Sequence, residues 1–133
     1  MPASRFADLT VANVKKILSV DDTVTIRRLI AHVLTTSGYE VDEAQDGCAG
    51  LEKAAKNDYD LILTDYNMPH MDGISMLRAI RALPAHGATP IVVVTTEFGA
   101  DLKQQGRDAG ATGWMVKPIH PGKLVEMVRR LIG

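Results

Sequence analysis

The chain has 133 residues, which is enough for a single domain with a sizeable hydrophobic core. Its 15 lysines and arginines are balanced by 16 aspartates and glutamates, giving a formal net charge of -1 at pH 7. That balance argues against a nucleic-acid binder and against a membrane-surface protein, because both classes usually carry a basic excess.

The sequence also bears on the compartment. No apolar run approaches the ~20 residues that a membrane span needs, and Met1 to Asn13 lack the apolar segment of a secretion signal. The single cysteine, Cys48, has no partner for an internal disulfide, which suits a reducing compartment, and we interpret it as a small packing residue. We therefore expect a soluble, cytoplasmic protein, with an N-terminal extension over residues 1–14 and one domain over 15–133.

Five apolar, β-prone runs alternate with five helical stretches. The runs are Lys16–Val20, Tyr39–Ala44, Leu61–Thr64, Ile91–Thr95 and Gly113–Val116. Such alternation predicts an α/β domain with a parallel sheet. The fourth run is continuously apolar over residues 91–94, which favours a central strand, whereas the second alternates in polarity, as a half-exposed edge strand does.

The helical stretches differ in the strength of their apolar pattern. The first has a regular apolar stripe and ends before Gly38, and the third ends near Leu83-Pro84. The fourth, about Gly99–Ala109, has few large apolar side chains, and Gly106 is unfavourable in its interior. We expect the fourth helix to be among the less stable parts of the domain.

Polar residues follow or end four of the predicted strands, and ligands of an open parallel sheet bind beyond the carboxyl ends of the strands. These residues are Asp21 and Asp22 after the first strand, Asp65 after the third, Thr95 in the fourth, and Lys117-Pro118 after the fifth. Although they are far apart in sequence, the fold should bring them to one rim. Taken alone, the Asp21-Asp22 pair could also serve as the N-cap of the first helix.

Three carboxylates in one pocket repel one another and need a compensating cation. A hard oxygen site with open positions suits Mg²⁺. The Lys117 ammonium can pair with Asp65 or with a phosphate, and the Thr95 hydroxyl can donate to a phosphate oxygen. Because an aspartate carboxylate is a known nucleophile, this combination predicts phosphoryl transfer to Asp65.

The motifs together resemble the receiver domain of bacterial two-component response regulators, most closely its single-domain chemotaxis members. The stretches that carry the resemblance are Val20-Asp21-Asp22, Arg27-Arg28, Asp65–Gly73, Thr95-Thr96-Glu97, Ala109–Trp114 and Lys117-Pro118. The resemblance covers about residues 14–133 and implies a receiver domain over 15–133. It also implies a doubly wound, flavodoxin-like (βα)5 fold with five parallel strands in the order 2-1-3-4-5.

The resemblance implies a role for each matching residue. Asp65 would be the phosphoacceptor, with Thr95 and Lys117 contacting the phosphoryl oxygens. Mg²⁺ would be held directly by Asp22 and Asp65 and through water by Asp21, and the Asn67 backbone carbonyl would complete the protein ligands. The remaining implied roles are hydrolysis tuning by Asn67 and Glu97, switching by Thr95 and Trp114, and a cis peptide at Lys117-Pro118.

The function implied is a phosphorylation-activated switch that is not classed as an enzyme, because it catalyses only its own phosphorylation and dephosphorylation. Its phosphodonor would be a histidine kinase or a phosphotransfer domain. Because no chain remains after Gly133 for a DNA-binding output domain, we expect output through protein contacts, with the flagellar motor switch as the implied target. We also expect a monomer that binds neither nucleic acid nor membrane. A phosphorelay intermediate or phosphate sink, which exchanges phosphoryl with a histidine phosphotransfer domain, is an open alternative.

Two further classes are disfavoured. An aspartyl-phosphate phosphatase of the haloacid-dehalogenase type needs a second aspartate two residues after the nucleophile, where this chain has Asn67. A flavodoxin-like flavin binder is disfavoured because the two carboxylates after the first strand would repel the phosphate of the flavin unless a cation intervened. The four histidines lack metal-ligand spacing and are interpreted as surface or loop residues: His32, His70, His86 and His120.

Overall fold

The computed structural model describes residues 14–133, so the predicted extension over 1–14 lies outside the described residues except for Val14. The strands are β1 Lys16–Val20, β2 Glu40–Ala44, β3 Leu61–Thr64, β4 Ile91–Thr95 and β5 Gly113–Val116. The α-helices are α1 Val24–Thr36, α2 Gly47–Lys56, α3 Gly73–Arg81, α4 Ala100–Ala109 and α5 Pro121–Ile132, with a short 3-10 helix over Pro84–His86.

The strands form one sheet in the order β2-β1-β3-β4-β5, and every neighbouring pair is parallel. This confirms the doubly wound fold. The half-exposed strand β2 lies at one edge and the continuously buried β4 inside the sheet, as their polarity patterns predicted. β2 begins one residue later than predicted, because the Tyr39 N–H bonds back to the Leu34 carbonyl at the end of α1.

Apolar side chains cover both faces of the sheet and form two cores. One core joins the sheet to α1 and α5, through residues such as Ile30, Leu34, Leu124 and Val128. The other joins it to α2 and α3, where Met76, Leu77 and Ile80 pack on the sheet. Because both faces are covered, the strand ends are left as the place where polar side chains can gather.

Helix α4 is held by few apolar contacts. Gly106 is its one fully buried residue, and Leu102 is only half-buried. The helix ends at Gly110, whose φ of 107° lies in the left-handed region that favours glycine. Arg81 of α3 donates to the Gly110 carbonyl from Nε at 3.1 Å and from a terminal nitrogen at 2.7 Å. The end of α4 is therefore fixed to α3.

Three interpretations from the sequence need correction. Cys48 is exposed on α2 and is not a packing residue. His86 is fully buried, because its ring nitrogens bond the Thr89 hydroxyl and the Asn57 carbonyl, each at 2.9 Å. The N-cap of α1 is Thr23, so neither Asp21 nor Asp22 caps that helix.

The length and polarity of the helices also bear on membranes. Among residues 14–133, we find no helix with both the length and the apolar character that a bilayer crossing requires.

Candidate functional site: an acidic cluster with a bridging lysine

The predicted carboxylates meet at the carboxyl ends of β1 and β3. Asp21 and Asp65 directly follow the paired residues Val20 and Thr64, and the order of strands reverses at this point. Each of Asp21, Asp22 and Asp65 offers one carboxylate oxygen, and these oxygens lie within 4.8 Å of one another. Asp21 and Asp65 are buried, whereas Asp22 faces solvent. The cluster is therefore closed on its protein side and open on its outer side.

Lys117 bridges the two buried carboxylates. Its Nζ donates to Asp21 Oδ2 at 2.8 Å and to Asp65 Oδ2 at 3.0 Å. Burial alone would lower the pKa of Lys117, but the hydrogen bonds and charges of the two aspartates outweigh burial and raise the pKa above its ordinary value. The ammonium is therefore charged at neutral pH and partly balances the acidic cluster.

Lys117 owes its position to the pairing of β4 with β5. Val116 is the last β5 residue that pairs with β4. The next residue, Lys117, donates its backbone N–H to the Thr95 carbonyl at 2.8 Å. The Lys117-Pro118 peptide is cis, as the resemblance implied. From this position the Lys117 side chain reaches Asp65, the residue that follows β3.

Asp21 is held by hydrogen bonds from the N-cap residue of α1 and from a side chain of α1. Its Oδ1 accepts the Thr23 N–H at 2.9 Å, and its carbonyl accepts a hydrogen bond from an Arg27 terminal nitrogen at 2.7 Å. The Nε of Arg27 also bonds Glu43 Oε1 of β2 at 3.1 Å. Arg27 therefore connects α1 to the residue that follows β1 and to β2 at the edge of the site. The Arg27-Arg28 motif is visible in the sequence, but nothing in the sequence indicates that Arg27 contacts Glu43.

Asp65 is held by its own loop. Its Oδ1 accepts the Tyr66 N–H at 2.7 Å, which leaves Oδ2 for Lys117. The loop closes where the Gly73 N–H bonds the Tyr66 carbonyl at 2.7 Å. A Cβ on Gly73 would overlap the Asp65 carbonyl oxygen, so only glycine permits this close approach at the start of α3.

The remaining predicted residues lie on β4, on β5 and in the loops that follow β3 and β4. Thr95 is buried at the end of β4, and its Oγ1 accepts the Glu97 N–H at 3.3 Å. The Glu97 carbonyl accepts a hydrogen bond from Trp114 Nε1 at 2.8 Å. Asn67 and Glu97 both expose their side chains, Asn67 in the loop after β3 and Glu97 in the loop after β4. Trp114 is half-buried on β5, outside the acidic cluster.

The donor set fits a hard divalent cation. All of its ligand atoms are carboxylate oxygens, and one of the carboxylates, that of Asp22, faces solvent. The three carboxylates are balanced by only one ammonium, that of Lys117, so negative charge remains for a cation to neutralise. Mg²⁺ prefers one or two carboxylates and retains waters at its open positions. The residues present are therefore suited to Mg²⁺.

Comparison with known proteins agrees with this arrangement. The family model described as "Response regulator receiver domain" matches residues 17–129. The transcriptional regulatory protein ResD of Bacillus subtilis is 40% identical over 120 residues, and the chain spans only 49% of that relative's length. The chemotaxis protein CheY of Pseudomonas aeruginosa is 38% identical over 117 residues, which are 87% of this chain and 94% of that protein.

Solved structures give the same result. The chemotaxis response regulator CheY4 of Vibrio cholerae superposes with a TM-score of 0.86 at 42% identity, over 90% of this chain and 99% of that one. The receiver domain of the sensor histidine kinase PA1611 of Pseudomonas aeruginosa, solved with a magnesium ion in its active-site cleft, gives a TM-score of 0.84 at 30% identity and covers 90% and 98% of the two chains. The fold, the acidic cluster with its lysine, and these matches show that the chain belongs to the response regulator receiver domain family.

Proposed function

We propose that this receiver domain, over residues 15–133, is the phosphoacceptor of a two-component system and that Asp65 carries the phosphoryl group. The observation that carries the proposal is the Lys117 Nζ, which lies 2.8 Å from Asp21 Oδ2 and 3.0 Å from Asp65 Oδ2. A mobile ammonium beside a buried carboxylate can remain paired with the charge as it moves from the carboxylate to a phosphoryl oxygen.

The reaction would be a displacement at phosphorus. A carboxylate oxygen of Asp65 attacks the phosphorus of a phosphohistidine on a histidine kinase or phosphotransfer domain. A P–O bond forms, the P–N bond breaks, and its electron pair leaves with the imidazole nitrogen, so that the product is an acyl phosphate. Lys117 and the Thr95 hydroxyl would bind two of the phosphoryl oxygens, and Asn67 and Glu97 would flank the product and tune its hydrolysis.

The proposed Mg²⁺ ligands are Asp22, Asp65 and the Asn67 carbonyl. Asp21 would act through a water, as the family resemblance implies. When bound, the ion would supply the positive charge that neutralises the phosphoryl oxygens. The chain would act only on its own acyl phosphate, which is why we describe it as a signalling protein.

We further propose a cytoplasmic, monomeric chemotaxis regulator that signals through protein contacts. Support comes from the CheY relative, nearly all of whose length the chain spans. The proposed switch residues are Thr95 and Trp114, and the proposed contact surface is formed by α4, β5 and α5. A groove of about 400 Å³ between β5 and α5, lined in part by Trp114, Met115 and Met127, supplies apolar surface there for a partner such as the flagellar motor switch.

The phosphoacceptor is tested by incubation with a labelled acyl-phosphate donor and Mg²⁺. We expect a base-labile label on the wild type and on Asp58→Asn, a matched control at an exposed aspartate before β3. Asp65→Asn should take up no label, because an amide is a poor nucleophile. Base-labile label retained in Asp65→Asn would contradict the assignment.

The downstream role is tested with an acyl-phosphate mimic such as beryllofluoride. A motor regulator should bind a motor-switch peptide at least about tenfold more tightly with the mimic than without it. Equal binding in both states, together with rapid exchange of phosphoryl with a histidine phosphotransfer domain, would favour the relay or phosphate-sink role instead.

A further inference from the structure

Gly106 is an unexpected residue for the interior of α4, since glycine there destabilises a helix relative to alanine. The structure gives a steric reason for it. A Cβ on Gly106 would lie 2.8 Å from Trp114 Cζ3 and 3.2 Å from Cε3, both closer than ordinary van der Waals contact. The six-membered ring of the indole therefore lies directly on the backbone of α4, in space that a side chain would otherwise fill.

The opposite edge of the same indole is also fixed. Trp114 Nε1 donates to the Glu97 carbonyl at 2.8 Å, in the loop between β4 and α4. Because the indole is rigid, it spans the distance between Gly106 and Glu97. A side chain added at Gly106 must therefore displace the indole, helix α4 or the loop between β4 and α4.

The loop that the indole holds includes the Thr95 hydroxyl of the proposed site. The Glu97 N–H donates to Thr95 Oγ1 at 3.3 Å, so the same residue is bonded by its N–H to Thr95 and by its carbonyl to Trp114. Since Oγ1 accepts this bond, the hydroxyl proton of Thr95 is left to donate toward the rim. The orientation of Thr95 thus depends on where Glu97 is held.

We propose that Gly106 is a positioning residue: its missing side chain lets the Trp114 indole reach the Glu97 carbonyl, and through Glu97 the pair orients the Thr95 hydroxyl for phosphoryl transfer. The inference rests on the proposed function for its effect on the reaction. Its steric part, the placement of the indole, stands independently of that function.

Four variants isolate the effect. Gly106→Ala adds the conflicting methyl group, and Trp114→Phe removes both the N–H donor and the ring edge that contacts Gly106. The double variant Gly106→Ala with Trp114→Phe has the alanine but no indole, and so shows whether α4 tolerates an alanine when the indole is absent. Gly122→Ala on α5, where a Cβ meets nothing within 4 Å, is the matched control.

The first measurement uses unphosphorylated protein. Trp114 is the only tryptophan, so its indole N–H gives a single assignable NMR signal. We expect Gly106→Ala to shift that signal and to speed its exchange with solvent about tenfold, because the bond to Glu97 is lost. Gly122→Ala should leave the signal unchanged. An unchanged signal in Gly106→Ala would overturn the inference whether or not Asp65 is phosphorylated.

The second measurement is the rate of Asp65 phosphorylation by a small acyl-phosphate donor at saturating Mg²⁺. Gly106→Ala and Trp114→Phe should each lower the maximal rate about fivefold, and the double variant should be no slower than Trp114→Phe. Independent, multiplying losses in the double variant would overturn the inference, as would a normal rate in Gly106→Ala. If the wild type itself took no label, the proposed function would fail, while the indole signal would still decide the steric part.

Discussion

Replacing Lys117 with methionine tests the electrostatics of the site, because methionine keeps most of the side-chain volume and removes the charge. The buried carboxylates of Asp21 and Asp65 would then lie within 4.8 Å of each other with no ammonium between them. At that separation and an effective dielectric constant near 20, two like charges repel by about 3.5 kcal/mol. Removing one partner of a buried ion pair costs about 3–5 kcal/mol, so we expect a loss of that size in the free energy of unfolding.

The assay is urea unfolding with and without Mg²⁺, with Lys123→Met on the exposed face of α5 as the control. Without Mg²⁺, Lys117→Met should lower the urea midpoint by about 2 M. Saturating Mg²⁺ should recover much of the loss, because the cation replaces the missing positive charge and binds only the folded state. A variant as stable as the wild type without Mg²⁺ would refute the reasoning, and so would a deficit that Mg²⁺ leaves unchanged.

Two further predictions concern stability. Gly73→Ala should lower the free energy of unfolding by about 2–3 kcal/mol in urea titrations, because the added Cβ would overlap the Asp65 carbonyl oxygen. The control Gly122→Ala should be neutral or stabilising, because a Cβ there meets nothing within 4 Å. Equal effects of the two substitutions would contradict the close approach at Gly73. Burial and the hydrogen bond to Asp42 raise the pKa of Tyr59 above its ordinary value. Above about pH 10, therefore, only the unfolded chain loses the phenol proton, and stability should fall with rising pH. The alkaline decline of the melting temperature should be shallower in Tyr59→Phe, and parallel curves would count against this.

The fold was predictable because its signals are local. The continuously apolar residues 91–94 indicate a strand covered on both faces, and the alternating run that ends at Ala44 indicates a strand covered on one face. Both patterns are visible in the sequence itself. The gathering of Asp21, Asp65 and Lys117 at one rim follows from the parallel sheet, because the carboxyl ends of parallel strands meet at one edge. The order of the strands came from the family resemblance.

What the sequence could not show depends on contacts between distant residues. His86 reads as a loop residue, yet it is buried because the Asn57 carbonyl, 29 positions away, accepts a hydrogen bond at its ring. Gly106 reads as a defect in a weak helix, and only the placement of Trp114 explains it. The prediction that Cys48 is a packing residue was wrong for the same reason, since the exposure of a side chain depends on how the helices pack.

The central claim is that Asp65 carries the phosphoryl group, and the most direct measurement is peptide mass mapping of wild-type protein after incubation with an acyl-phosphate donor and Mg²⁺. A single phosphoryl group should be found on the peptide that contains Asp65, and it should be lost on brief treatment with base. A phosphoryl group on any other residue, or a base-stable one, would contradict the account.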